Sequence, residues 1–170
     1  MLPEFDAAKA LFEEYELDVS RETYDKMEEY AAFLVDYNEK VNLTAVTEGN
    51  EILRKHFLDS MLLAKYANIP QNAALLDIGS GAGFPGVPLA LARPDLKITL
   101  LDSLNKRIVF LQQLCERLGC SYTAMHGRAE LAAKTPEMRE SFDVVTARAV
   151  AAMPMLAEYF ALEGLTQLMH

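Results

Sequence analysis

A short apolar run, Ala74-Leu75-Leu76-Asp77-Ile78, ends directly in the glycine cluster Gly79-Ser80-Gly81-Ala82-Gly83-Phe84-Pro85-Gly86. This junction constrains the fold more than any other feature of the chain. Four apolar residues around one aspartate, ending in glycines, read as a buried strand of a parallel sheet. Glycines then let the backbone turn sharply and bring a ligand close without a Cβ in the way. Proline is tolerated in a first helical turn, which predicts a helix from about Pro85. Strand, glycine loop and helix together announce an α/β protein.

The rest of the chain repeats that rhythm. Lys97–Leu101 reads as a second strand, Ser121–Met125 as a third and Phe142–Thr146 as a fourth. Between them Asn105–Leu118 is amphipathic, with Leu111, Leu114, Cys115 and Leu118 on one face and Gly119 as its stop. Strands alternating with helices imply a parallel sheet with right-handed crossovers. The first 66 residues differ. Met27, Tyr30, Ala31 and Leu34 follow helical spacing behind a Ser20 cap, and Ile52, Leu53, His56, Phe57 and Ser60 resume it after the polar turn Thr47–Asn50. The expected organisation is a helical segment, 1–66, packed on an α/β core, 67–170, as one domain. Four strands make a small doubly wound sheet, so an incomplete sheet is expected.

Two ligand templates fit the loop. Gly81, Gly83 and Gly86 satisfy the GxGxxG spacing of dinucleotide-binding folds, where pyrophosphate meets a helix N-terminus. Asp77, Gly79, Gly81 and Gly83 satisfy the acid-x-Gly-x-Gly-x-Gly pattern of S-adenosylmethionine methyltransferases. That ligand carries an ammonium and a sulfonium, for which Asp77 is a suitable neighbour. Asp102 ends the second strand, where a carboxylate can hold ribose hydroxyls in either case. Little chain after Thr146 is left for a nicotinamide half, which favours the methyltransferase pattern.

Sixteen Lys and Arg against twenty-five Asp and Glu give a net charge of −9. All of it lies in residues 1–60, with fifteen acids and six bases, while residues 61–170 hold ten of each. The acid excess taken alone argues against a nucleic-acid partner, which needs cations for its phosphates. Apolar stretches fall far short of the roughly eighteen residues of a membrane span. The acidic, amphipathic N-terminus does not read as a secretory signal. Cys115 and Cys120 make neither a disulfide framework nor a metal motif, so no metal is expected and the thiols read as reduced. A cytoplasmic protein follows.

The run from Leu75 to Ala90, and above all Gly83-Phe84-Pro85-Gly86, resembles the glucose-inhibited division protein B family. Asn42-Leu43-Thr44, His56-Phe57-Leu58-Asp59-Ser60, Asp102-Ser103-Leu104-Asn105-Lys106-Arg107, Gly127-Arg128-Ala129-Glu130 and the segment Phe142–Ala149 are similar to further motifs of that family, in its order. The resemblance implies a class I methyltransferase fold, S-adenosyl-L-methionine as cofactor, and methylation of a guanine N7 in 16S ribosomal RNA of the small subunit. It implies cofactor contacts from Gly79, Phe84, Asp102, Ser103, Leu104, Ala129, Glu130 and Arg148, beside which the loop residues Asp77, Gly81 and Gly83 also read as cofactor-binding. Guanine N7 has a lone pair and no proton, so no catalytic acid or base is required; Arg148 can touch cofactor or phosphate. Lys106 and Arg107, at a helix start, are candidates for RNA phosphate. His56, Asp59 and Ser60 share a helix face and read as polar anchors of that helix on the core rather than a triad, with a substrate-side role as the alternative. The chain is expected to act as a monomer. After Tyr159 it departs from the family's Pro-Gly-Gly turn and basic tail, which reads as a C-terminal truncation. A nicotinamide-dependent oxidoreductase and an inactive remnant stand as alternatives.

Overall fold

The computed structural model describes residues 1–138 and 141–148. The expectations for Met153-Pro154-Met155 and for a helical run through Tyr159 and Leu162 concern residues outside these.

The sheet is parallel throughout, with strands β1 (Ala74–Ile78), β2 (Lys97–Asp102), β3 (Thr123–His126) and β4 (Val144–Ala147) in the spatial order β3-β2-β1-β4. The chain steps outward from β1 to β2 to β3, then returns to lie on the other side of β1. Between β1 and β4 the winding direction reverses, and open α/β sheets bind ligands at the carboxyl ends beside such a reversal. Three strands end later than the sequence suggests. Register is the reason: Ile78 pairs with Leu101 and Ala147, and Asp102 pairs with His126. At the start of β4, the Asp143 backbone N–H donates to Ala74 O at 2.8 Å. Its carboxylate accepts the Ala74 N–H at the same distance. Asp143 thereby becomes a clamp before the strand, and Phe142 falls outside it.

Ahead of the sheet lie α1 (Phe5–Glu14) and α2 (Arg21–Asn38). Ser20 caps α2, its Oγ accepting the Thr23 N–H at 3.1 Å, and Met27, Tyr30, Ala31 and Leu34 are buried on the face their spacing predicts. The next helical stretch begins at Gly49, inside the expected turn, because the Glu48 carboxylate accepts the Glu51 N–H. It runs as α3 (Gly49–Ile52), a π-helical turn (Leu53–Leu58) and α4 (Asp59–Tyr66). The wider turn brings Leu53, His56, Phe57 and Leu58 all inward, a geometry that recurs at functional sites.

Pro85 precedes α5 (Gly86–Ala92), after a cis Phe84–Pro85 peptide. Helix α6 (Asn105–Leu118) ends at Gly119 in the left-handed region, as its glycine requires; α7 (Ala129–Ala132) is a single turn. Phe110 of α6 stacks on Phe33 of α2 with centroids 5.2 Å apart, and Tyr37 lies against the same ring at 5.1 Å. One apolar cluster runs from Leu2 and Phe12 through Tyr30 and Phe57 to Leu75, Leu100, Leu111 and Leu118. Each such large side chain contributes about 1.5–3 kcal/mol by leaving water. A smaller cluster, with Leu76, Ile78, Leu101 and Val145, lies on the sheet's other face.

Candidate functional site

The loop after β1 stays open because three of its residues adopt positive φ: Gly79 (69°), Gly81 (59°) and Gly83 (98°). The Gly79 N–H donates to Leu101 O at 2.8 Å, which ties the loop to the end of β2. From α2, the Tyr30 hydroxyl, fully buried, donates to Ala82 O. Tyr30 also stacks on Phe84, 5.0 Å between centroids and 10° between planes. The helical front therefore shapes the loop that the sheet presents.

Above the loop is a cavity of about 360 Å³, lined by Leu43, Thr44, His56, Gly79, Ser80, Gly81, Ala82, Phe84, Asp102, Ser103, Arg107 and Arg148. Of the residues singled out in the sequence, Gly79, Gly81, Phe84, Asp102, Ser103, Arg107 and Arg148 converge on it. Asp77, Gly83, Leu104, Lys106, Ala129 and Glu130 do not line it. Asp77 is turned beneath the loop, where it accepts the Thr146 hydroxyl at 2.9 Å and the Gly86 N–H at 3.3 Å. Burial pushes its carboxyl up to about 6, against the pull of those hydrogen bonds. Its role in this geometry is to hold loop, α5 and β4 together.

Asp102 is equally buried, at 2 % exposure, yet borders the cavity. Its Oδ1 accepts the Leu104 N–H and its Oδ2 the Gly81 N–H, both at 2.9 Å. Arg107 Nη1 lies 3.2 Å from the same Oδ2. Arg107 is thus directed inward at Asp102, whereas Lys106 is exposed.

Opposite stands a group that spacing alone left as helix anchoring. The His56 ring stacks on Phe84 at 4.3 Å and 16°; its Nε2 is 3.3 Å from Thr44 Oγ1. Arg148 Nη2 approaches His56 Nδ1 to 3.5 Å, and Arg148 Nη1 lies 3.9 Å from Asp59 Oδ2. Burial, then the charge of Arg148, holds the His56 pKa down at about 4, so the ring is neutral at pH 7. Ser60 turns back on its own helix, donating to His56 O at 2.6 Å. Thr44 and His56 were visible only as parts of motifs; the signal that they share a wall with the glycine loop is the Asn38 side chain. It accepts the Leu43 and Thr44 N–H groups at 2.7 and 3.0 Å and folds that loop inward.

The parallel sheet, the reversal between β1 and β4, the glycine loop and the carboxylate ending β2 define the Rossmann-like fold of class I S-adenosylmethionine-dependent methyltransferases. Two solved structures share that fold. One is a Plasmodium falciparum protein assigned as a protein-L-isoaspartate O-methyltransferase, in complex with S-adenosyl-L-homocysteine (TM-score 0.57, 14 % identity, 95 % of this chain and 80 % of that one). The other is the YcgJ protein of Bacillus subtilis (TM-score 0.52, 20 % identity, 63 % of this chain and 46 % of that one). Residues 23–167 match the family described as rRNA small subunit methyltransferase G, and the chain belongs to that family. Ribosomal RNA small subunit methyltransferase G of Clostridium beijerinckii is 46 % identical over 155 residues, 91 % of this chain and 65 % of the relative. That of Geobacillus thermodenitrificans is 48 % identical over 151 residues, 88 % of this chain and 63 % of the relative. The chain spans just under two thirds of the length of these relatives. The dinucleotide alternative is not favoured. Among the described residues no helix is long and apolar enough to cross a membrane.

Proposed function

We propose that the protein binds S-adenosyl-L-methionine in the cavity above the glycine loop and transfers its methyl group to a guanine N7 of 16S ribosomal RNA in the small subunit. The observation that carries this is the convergence of Gly79, Gly81, Asp102 and Arg148 on one cavity, in a chain of the rRNA small subunit methyltransferase G family.

The residues present fit this cofactor. Gly79 and Gly81 leave backbone without a Cβ along the cavity, and Asp102 offers a buried carboxylate to ribose hydroxyls. Bound there, the cofactor supplies an electrophilic methyl on a cationic sulfur. The chain's part is binding, alignment and exclusion of water, which suffices because N7 has no proton to remove. His56, neutral and packed on Phe84, gives the cavity an uncharged wall. Arg148 brings a cation for RNA phosphate or for the base edge, held by Asp59. Leu104, just before α6, and Ala129 and Glu130, which open α7 beyond the carboxyl end of β3, are proposed to meet the nucleoside half from outside the cavity's lining, and the exposed Lys106 to face RNA. The helical front and the sheet, sharing one apolar cluster, are proposed to act as one domain.

The test is transfer of tritiated methyl from labelled cofactor to 30S subunits isolated from a strain lacking the modification, with N7-methylguanine identified in the nuclease digest. Methylation of 16S RNA at one guanine is expected. A folded protein that binds S-adenosyl-L-homocysteine and labels no RNA would overturn the reading.

A further inference from the structure

Asp102 carries more donors than a ribose-binding carboxylate can keep. An ionised carboxylate has about four lone-pair positions. The Leu104 N–H takes one on Oδ1, the Gly81 N–H one on Oδ2, and Arg107 Nη1 another on Oδ2. One position is left, whereas a vicinal diol donates two hydrogen bonds. The two backbone donors belong to the loop and to the turn before α6, and neither can leave without refolding it. Arg107 can. Its side chain is 30 % exposed, at the cavity rim in the first turn of α6. Among the described residues its buried Nε finds no hydrogen-bond partner, so the guanidinium is held by this ion pair and not by a network.

Resting on the cofactor reading above, we infer that Arg107 and the cofactor's ribose compete for Asp102 Oδ2, and that this exchange couples cofactor binding to RNA binding. When ribose hydroxyls take the carboxylate, the guanidinium swings from the rim toward solvent beside Lys106. There it becomes a free cation for an RNA phosphate. When a phosphate holds Arg107 outside, Asp102 is open to the diol. Each ligand therefore raises the affinity of the other by the same factor, as linkage requires. Arg107 is a positioning residue that gates the ribose site, distinct from a fixed RNA contact.

The experiment is calorimetric titration with S-adenosyl-L-homocysteine, with and without a short single-stranded RNA, of the wild-type chain and Arg107→Met. The variant is expected to bind S-adenosyl-L-homocysteine at least about threefold tighter. The wild type is expected to gain roughly fivefold in that affinity when RNA is present, a coupling of ordinary size, and the variant to gain nothing. Weaker or unchanged binding by a variant with the wild-type melting temperature would overturn the inference, and so would coupling that persists in it. In the wild type, the Arg107 Nε–H resonance, assigned by its loss in Arg107→Lys, is expected to exchange faster with water once S-adenosyl-L-homocysteine is bound. A resonance that stays protected overturns the inference even if Arg107→Met does not fold. A wild type that binds no S-adenosyl-L-homocysteine would instead remove the cofactor reading itself.

Discussion

The glycine loop has two faces built from the same residue types, and they do different work. Beneath it, Gly83 packs on Tyr30, Val87 and Leu111, and Asp77 ties α5 and β4 to the loop. Above it, Gly81 and Asp102 border the cavity. Both carboxylates are buried and both end or nearly end neighbouring strands. What separates them is position along the strands: Asp77 pairs with Leu100, so Asp102 stands on the same face but two residues nearer the carboxyl edge of the sheet. Asp77 therefore serves the fold, and Asp102 is left bordering the cavity proposed to hold the cofactor.

The sharpest way to break that contrast is alanine at the two glycines. At Gly83 (φ 98°) a Cβ would meet Tyr30 Oη and Val87 Cγ2 at 2.7 Å and Leu111 Cδ2 at 3.0 Å. Gly83→Ala is expected to lose about 3 kcal/mol or more of stability in urea unfolding. Gly81 (φ 59°) has open space, its nearest neighbour being Gly79 O at 3.8 Å. Gly81→Ala should lose only about 1 kcal/mol, the cost of the left-handed backbone, and instead weaken S-adenosyl-L-homocysteine binding in calorimetry. Equal stability losses would erase the distinction between the faces.

Next come the carboxylates. Asp77→Ala strips the Gly86 N–H and the Thr146 hydroxyl of their acceptor and is expected to lower stability by about 2 kcal/mol. Asp102→Asn keeps the shape but removes the charge that ribose hydroxyls need. Binding of S-adenosyl-L-homocysteine should fall roughly 10-fold to 100-fold, in line with about 1.5–3 kcal/mol for a hydrogen bond to a charged group. A Asp77→Ala protein that stays stable and loses only ligand would reverse the assignment.

The remaining contrast is in pH dependence, where the two sides pull in opposite directions. His56 has a folded pKa of about 4, below its ordinary value of 6.5. The unfolded chain takes up the proton first, so His56 costs stability as pH falls from about 6.5 toward 4. Asp77, raised to about 6, contributes stability that is present below about 4 and lost as pH rises to 6. Comparing His56→Phe with the wild type isolates the first group. The variant is expected to gain about 2 kcal/mol relative to the wild type between pH 7 and pH 4. A constant difference across that range would mean that the ring takes up its proton in the fold as readily as in the unfolded chain.

Much of this architecture was legible in the chain. The run Ala74–Ile78 behind three glycines could form little other than a buried strand and tight loop. Ser20 and Gly119 marked helix ends because a hydroxyl cap and a left-handed stop are local chemistry. The charge asymmetry was also legible: the cations Arg107 and Arg148 come from the neutral part of the chain. Legibility failed where the deciding contact was distant. Beginning β4 at Val144 needed the clamp between Asp143 and Ala74, sixty-nine residues apart. The π turn at His56 has no composition signal, since the buried set Leu53, His56, Phe57 and Leu58 also suits an α-helix.

Local sequence therefore determined that a glycine loop follows a strand, that carboxylates stand at Asp77 and Asp102, and that helices precede the sheet. Only tertiary structure decided which carboxylate sees the cavity, that Tyr30 from α2 braces the loop, and that His56 and Arg148, ninety-two residues apart, stand side by side. The physical reason is the range of the forces. Capping, turn geometry and periodicity act over a few residues, whereas how far a side chain stands toward the carboxyl edge of the sheet is set by register with its neighbours. Packing against distant helices then decides what that side chain meets.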